Sequence, residues 1–186
     1  MRNKSARLFY VIGASGAGKD SVLQAARELW PGKMMVAHRY ITRAAEAGGE
    51  NHVELSAAEF LQRKSQGFFA MDWQANGYSY GVGKEIDIWL SQGVDVIVNG
   101  SRAYLDTAIT LYGDKLIPVM IDVKPAVLEQ RLYKRGRESD SEIVKRMARA
   151  EQYRRQCPEE GVVIDNSDTL ESTMKQFAKC LSIREV

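Results

Sequence analysis

The residues that build metal centres and disulfide frameworks are scarce: 186 residues contain two cysteines, Cys157 and Cys180, and two histidines, His38 and His52. The cysteines have neither metal-ligand spacing nor the density of a small secreted scaffold, which points to reduced thiols and a cytoplasmic protein. Long hydrophobic runs are also missing. Leu8 to Ile12 is apolar but leads straight into a glycine loop, whereas a secretory core segment needs roughly seven to fifteen apolar residues and a membrane helix about twenty. Neither export nor a membrane partner is expected. Charge of one sign is scarce too: 26 Lys and Arg against 24 Asp and Glu leave +2, too little for net charge alone to hold nucleic acid. With four prolines, no low-complexity stretch and 45% hydrophobic residues, the chain reads as one globular domain with a continuous core rather than a fibre or a disordered segment.

What is present has the texture of an α/β protein. Leu8 to Ile12 reads as a strand covered on both faces in a parallel sheet. From Lys19 the spacing turns helical, with Val22, Leu23, Ala26, Leu29 and Trp30 on one face, until Pro31-Gly32 stops it. Val94 to Val98, Leu116 to Val123 and Val162 to Ile164 read as further parallel strands. The segment from about 36 to 82 differs: its strands, Ala37 to Thr42 and His52 to Leu55, are short and polar-mixed, and Asn76-Gly77 signals a hairpin. A small antiparallel insert is expected there. Ser56 to Glu59 and Ser139 to Glu142 are capping boxes, and Pro125 suits the first turn of a helix carrying Leu128 and Leu132. The expected division is a core (1–35, 83–134 and 151–186), the insert (36–82) and a lid (135–150).

The first functional signal is Gly13-Ala14-Ser15-Gly16-Ala17-Gly18-Lys19, which fits G-x-x-x-x-G-K between a predicted strand and a predicted helix. In that context loop N–H groups and the helix N-terminus bind phosphate oxygens, and Lys19 reaches the β and γ phosphates of ATP. The next position departs from the usual pattern, because Asp20 replaces a Ser or Thr that would meet Mg²⁺. A carboxylate is also a hard oxygen ligand, so Asp20 is the candidate metal ligand, the alternative being a helix cap. Ser21 offers a hydroxyl, but a rotation of about 100° per residue should turn it away.

Two arginine clusters follow. Arg131, Arg135 and Arg137 bracket Gly136, and Arg146 and Arg149 lie three apart on a predicted helix. Guanidinium groups on a closing lid stabilise charge on a transferring phosphoryl group, whereas solvated surface arginine is the plain alternative. His38-Arg39-Tyr40-Ile41-Thr42-Arg43 in the insert, with Tyr78 and Tyr80 beyond the hairpin, suits an anionic acceptor. His38 and His52 also read as partly buried structural histidines, and Trp30, Trp73 and Trp89 as packing residues.

Together these motifs resemble the guanylate-kinase-like branch of P-loop kinases over nearly the whole chain. The carriers are Gly13 to Lys19, Thr42-Arg43, Gly77 to Gly81, Arg131-Leu132-x-x-Arg135-Gly136, Arg146 and Asp165-Asn166. The resemblance implies a three-layer α/β/α fold with a parallel core sheet, an insert binding acceptor phosphate through Arg39, Arg43 and Tyr80, and an arginine lid in which Arg131, Arg135 and Arg146 serve the transferring phosphate. Two departures bear on substrate. Where guanylate kinases place a guanine-reading glutamate the chain has Met71, whose thioether cannot accept the hydrogen bonds of guanine, and where they place paired aspartates it has Asn99-Gly100-Ser101.

The sequence instead is similar to the bacterial ribose 1,5-bisphosphate phosphokinases of phosphonate catabolism. The matching segments are Ala37 to Arg43, Gly49 to His52, Tyr80-Gly81-Val82, Asn99 to Arg102, Arg135 to Glu138 and the Gly-Lys-Asp-Ser loop. That resemblance implies ATP and Mg²⁺ as cofactors, a sugar bisphosphate acceptor, and formation of 5-phospho-α-D-ribose 1-diphosphate. His38, Asn99 and Arg102 are then further candidates for binding ribose or its second phosphate. The alternatives are a GMP kinase and a catalytically silent interaction module, and a homodimer is among the assembly states left open.

Overall fold

The computed structural model describes residues 6–47, 50–136, 139–155 and 161–180. In chain order, β1 (Leu8–Ile12) is followed by α1 (Lys19–Leu29) and β2 (Met34–Val36). Next come β3 (Arg39–Ile41), β4 (Val53–Glu54), α2 (Ala57–Ser65), β5 (Phe69–Ala75) and β6 (Tyr78–Gly83). They are followed by α3 (Glu85–Ser91), β7 (Asp95–Asn99), α4 (Leu105–Tyr112), β8 (Leu116–Asp122), α5 (Pro125–Arg135), α6 (Asp140–Arg155), β9 (Val162–Asp165) and α7 (Leu170–Cys180).

Every residue of β1 is buried, as an apolar run without polar alternation requires when both sheet faces are covered. β1 is the centre of a five-stranded parallel sheet ordered β2-β7-β1-β8-β9. Alternate side chains point to opposite faces, and the two cores divide accordingly. Phe9 and Val11 join Val22, Ala26, Leu128, Leu132 and Phe177 from α1, α5 and α7. Leu8, Tyr10 and Ile12 join Ile86, Leu90, Leu105 and the inner face of the second sheet, including Ile41, Met71 and Val82. The result is the expected α/β/α arrangement.

The second sheet is ordered β4-β3-β6-β5. Its β5–β6 hairpin turns at Asn76 (φ 50°) and Gly77 (φ 79°), two left-handed residues in succession as a two-residue type I′ turn demands. The sheet is mixed rather than antiparallel, because β3 pairs β4 in parallel while β6 runs against both β3 and β5. The chain between β3 and β4, which carries Glu50 and His52, is long enough to cross back and re-enter in the same direction. Met34–Val36, assigned in part to the insert by its texture, is the edge strand of the parallel sheet; three residues are too few to show a period. Leu29 is 54% exposed, and Trp30 beyond the helix end stacks on Phe177 at 5.6 Å instead. α6 runs to Arg155, past the expected lid boundary at 150. Its start is capped by Ser139, whose backbone N–H donates to Glu142 Oε2 at 2.8 Å. Gly49, Arg137, Glu138 and Cys157 lie outside the described residues. Among the described residues no helix is long and apolar enough to cross a membrane.

One close contact locks the end of β7 to β1. The Tyr10 hydroxyl donates to Ser101 O and accepts from Ser101 N–H, each at 2.9 Å, and the buried ring lies against the Gly100 Cα so closely that a Cβ there would collide with it. Gly100→Ala must therefore displace a fully buried tyrosine. We expect it to cost about 1–3 kcal/mol, the range of core overpacking, read as a lowered urea midpoint; an unchanged midpoint would show that the ring yields freely.

Candidate active site

The strand-to-helix loop after β1 owes its shape to glycine. Gly16 and Gly18 hold φ of 93° and 89°, a region strained for residues with a side chain, and Gly18 is backed by the Asn166 amide with no room for a Cβ. Asn166 is 5% exposed and ties three elements together. Its Nδ2 donates to Ala17 O at 2.7 Å, its Oδ1 accepts from Thr173 Oγ1 at 2.8 Å, and its carbonyl accepts from Arg131 Nη2 at 2.8 Å. The loop thus rests on the end of β9 and the start of α7.

Lys19 opens α1 and turns its Nζ back to Gly13 O at 2.9 Å and Ala14 O at 3.1 Å. Burial of the ammonium pushes its pKa down to about 8, with neighbouring Asp20 opposing the shift. Burial also raises the Asp20 carboxyl above its usual value, and Glu50 pushes it the same way. Asn99, at the end of β7, donates from Nδ2 to Asp20 Oδ1 at 3.1 Å, while its own buried Oδ1 has no hydrogen-bond partner. Asp20 is a hard oxygen donor suited to Mg²⁺. No group of three or more His, Cys, Asp or Glu able to hold a metal occurs among the described residues, so an ion held by Asp20 would take its other ligands from phosphate and water.

The loop floors a cavity of about 1060 Å³ with cationic groups on facing walls. On one wall, from the ends of α5 and from α6, stand Arg131, Arg135, Arg146 and Arg149; Arg146 Nη1 donates to Ser15 Oγ at 2.6 Å, bridging α6 to the loop. On the other, from the second sheet, stand Arg39, Arg43, Tyr80 and Trp73. Arg39 presents a fork to Glu50, Nε to Oε1 at 2.6 Å and Nη2 to Oε2, and its guanidinium lies 5.0 Å from the centre of the Tyr80 ring. The Trp73 and Tyr80 rings are stacked with centroids 5.7 Å apart and their planes nearly parallel. Arg43 has a buried Nε without a hydrogen-bond partner. Between the walls, Asn99, Gly100, Ser101 and Arg102 line the strand end, and Arg102 Nη2 reaches Met120 Sδ at 3.6 Å.

Most of the expected site residues therefore converge. One sequence expectation needs correction. His38 is not on the cavity wall; its electrostatic neighbours are Arg27, Glu85 and Glu50, and burial lowers its pKa. Ser21, expected with the loop among the residues that bind ATP, lines the cavity. Met71 is 1% exposed within the core and does not line the cavity, whereas Trp73 and Ala75 on the same strand face do. Ala17 likewise faces the core, serving the loop through its carbonyl. His52 is a buried structural histidine, its ring nitrogens 3.0 Å from Glu50 O and Arg43 O. Among the lining residues that received no role from sequence are Trp73, read only as packing, and Glu50, present in the Gly49-Glu50-Asn51-His52 signal but unassigned.

Comparison with known proteins adds a family. Residues 5–184 match the guanylate kinase family model. The chain is 49% identical over 178 residues to a ribose 1,5-bisphosphate phosphokinase PhnN from Yersinia pestis, covering 96% of this chain and 92% of that one. It is 48% identical over 177 residues to the protein of the same name from Pectobacterium parmentieri, covering 95% and 94%. Among solved structures, guanylate kinase from Anaplasma phagocytophilum superposes with a TM-score of 0.69 at 19% identity, covering 98% of this chain and 88% of that one; at that identity the likeness is one of fold.

The depressed Lys19 has a measurable consequence. A polyphosphate beside Nζ favours the ammonium and raises its pKa, so binding near pH 8 must take up protons, about half a proton per site where the free group is half ionised. Titration calorimetry with ATP in buffers of different ionisation enthalpy reads that number. The Lys19 uptake should vanish toward pH 6.5, where the group is already protonated, and zero uptake at pH 8 would show that Lys19 is fully charged in the free protein.

Proposed function

The chain belongs to the guanylate kinase family and, within it, to the ribose 1,5-bisphosphate phosphokinases, and from that premise we propose how its cavity moves the γ-phosphoryl group of ATP onto the 1-phosphate of ribose 1,5-bisphosphate. The products are 5-phospho-α-D-ribose 1-diphosphate and ADP. The observation that carries the reading is the pair of facing cationic walls, which suits a donor and an acceptor that both carry phosphate. The second sheet is the acceptor unit of this reading, and the corner between α5 and α6 its lid.

An oxygen of the 1-phosphate attacks the γ-phosphorus, the bond from that phosphorus to the β–γ bridging oxygen breaks, and the electron pair leaves with ADP. The attacking oxygen is ionised at neutral pH, so the protein needs no general base and its work is alignment and charge. The loop from Gly13 to Lys19 cradles the β and γ phosphates with its N–H groups. Arg131, Arg135 and Arg146 approach the transferring group from the helical wall, and the Arg146–Ser15 contact draws that wall toward the loop. Arg43, Tyr80, Asn99 and Arg102 hold the acceptor, with Arg39 fixed beside them by its Glu50 fork and its aromatic neighbours. His38, off the cavity wall, has no contact with substrate in this reading. Asp20 would hold Mg²⁺, which when bound would supply charge neutralisation to the phosphates of ATP.

Phosphorus NMR of the protein with ATP and Mg²⁺ tests the acceptor. Ribose 1,5-bisphosphate should give a sugar diphosphate doublet while GMP stays unchanged, and Lys19→Ala should abolish the signal; GDP formation with an inert sugar would return the protein to the nucleotide kinases. For the metal, Asp20→Asn should raise the Mg²⁺ concentration needed for half-maximal rate by about tenfold, the equivalent of one charge-assisted contact. An unshifted Mg²⁺ dependence would leave Asp20 as a helix-capping residue only.

A further inference from the structure

The acceptor side of the cavity contains a group that phosphate binding does not explain. Among the described residues the wall carries eight cationic side chains and three carboxylates, Asp20, Glu50 and Asp168. Asp20 has a place at the phosphate loop, and Asp168 follows Asn166 at the far end of that loop. Glu50 is paired with Arg39 of the second sheet, its side chain only 10% exposed, and its charge also reaches Asp20 and Lys19, so it repels any phosphate brought to Arg39. A carboxylate kept among anions costs binding unless something donates hydrogen bonds to it.

Glu50 also changes what Arg39 is free to do. Two donors of the guanidinium are spent on the carboxylate oxygens, and its face lies over the Tyr80 ring. The paired charges and the stacked Trp73 and Tyr80 rings form a fixed surface, polar at one edge and apolar on its face. Each Glu50 oxygen keeps a second lone pair after accepting from Arg39. Asn99 Oδ1, at the strand end between the walls, is a second buried acceptor without a hydrogen-bond partner. Acceptors that lack donors are what the hydroxyl groups of a sugar complement, and an acidic side chain accepting from ribose hydroxyls is a recurrent solution in nucleotide sites.

On the reading that the acceptor is a sugar bisphosphate, we propose that Glu50 is the residue that reads the ribose ring, accepting hydrogen bonds from its vicinal 2- and 3-hydroxyls. The ring's C–H face lies against the Trp73–Tyr80 stack, and its two phosphates are left to Arg43, Arg102 and the loop. Selectivity for ribose thus comes from one carboxylate, and Arg39 serves as the positioning partner of that carboxylate rather than as a phosphate ligand.

The test compares ribose 1,5-bisphosphate with its 2-deoxy and 3-deoxy analogues by kcat/KM, in the wild-type protein and in Glu50→Gln. Wild type should favour the full substrate by about 10- to 100-fold over either analogue, the worth of a hydrogen bond to a charged group. Glu50→Gln, whose amide keeps the shape but not the charge, should compress that ratio severalfold. A wild-type protein that turns over all three sugars equally overturns the proposal, and that measurement needs no variant to fold. A Glu50→Gln protein with slower turnover but an undiminished ratio overturns it too, showing that Glu50 only orients Arg39. If no sugar is phosphorylated and GMP is, the sugar-kinase reading itself has failed.

Discussion

The constraint on which the site depends is the burial of one ammonium group. Taking Lys19 out of water costs several kcal/mol in the absence of partners, and the chain meets that cost with two carbonyls of its own loop, Gly13 O and Ala14 O. Those carbonyls point inward only because the loop is wound tightly around Nζ. The tight winding in turn requires left-handed backbone at Gly16 and Gly18 and a firm support at Ala17 O. Asn166 gives that support from a strand almost 150 residues away in sequence, and its own amide is fixed by Thr173. Loosen any of these and the loop carbonyls no longer face the ammonium.

The parallel sheet makes such distant partners neighbours. All five strands run the same way, so their C-terminal ends share one edge. The phosphate loop leaves β1 there, Asn99 to Arg102 leave β7 there, and Asn166 follows β9 there. The second sheet and the α5–α6 corner are the two excursions that rise from this edge and face each other across it. Each brings arginines, and neither brings enough carboxylate to neutralise them, so the cavity holds a field that only a polyanion satisfies.

Much of this was legible in the sequence, and the limits have physical causes. β1, α1, α5 and the hairpin were readable because each has a local signature: an unbroken apolar run, helical spacing, a proline at a first turn, Asn-Gly at a two-residue loop. The phosphate loop was readable because its chemistry is local too. β2 was not, since three residues carry no period, and the parallel β3–β4 pairing was not, since strand direction is decided by how a connecting segment returns. His38 sits beside Arg39 in sequence, but alternation along an extended chain sends neighbours to opposite sides. Glu50 lay in a recognisable segment and still received no role, because its meaning depends on Arg39, a partner brought to it only by folding.

Met71 carries a consequence for the history of the site. The resemblance set it where guanylate kinases read purine with a carboxylate, and here the side chain is sealed in the core shared by the two sheets, among Tyr10, Ile12 and Val82. Once a carboxylate at such a place has been replaced by a thioether and the neighbours have closed around it, restoring the acid means burying a charge with no partner. The surrounding core would have to reopen first, and nothing in sugar phosphorylation selects for that. The packing around Met71 thus excludes an acid there by itself, independently of what the catalytic cavity binds.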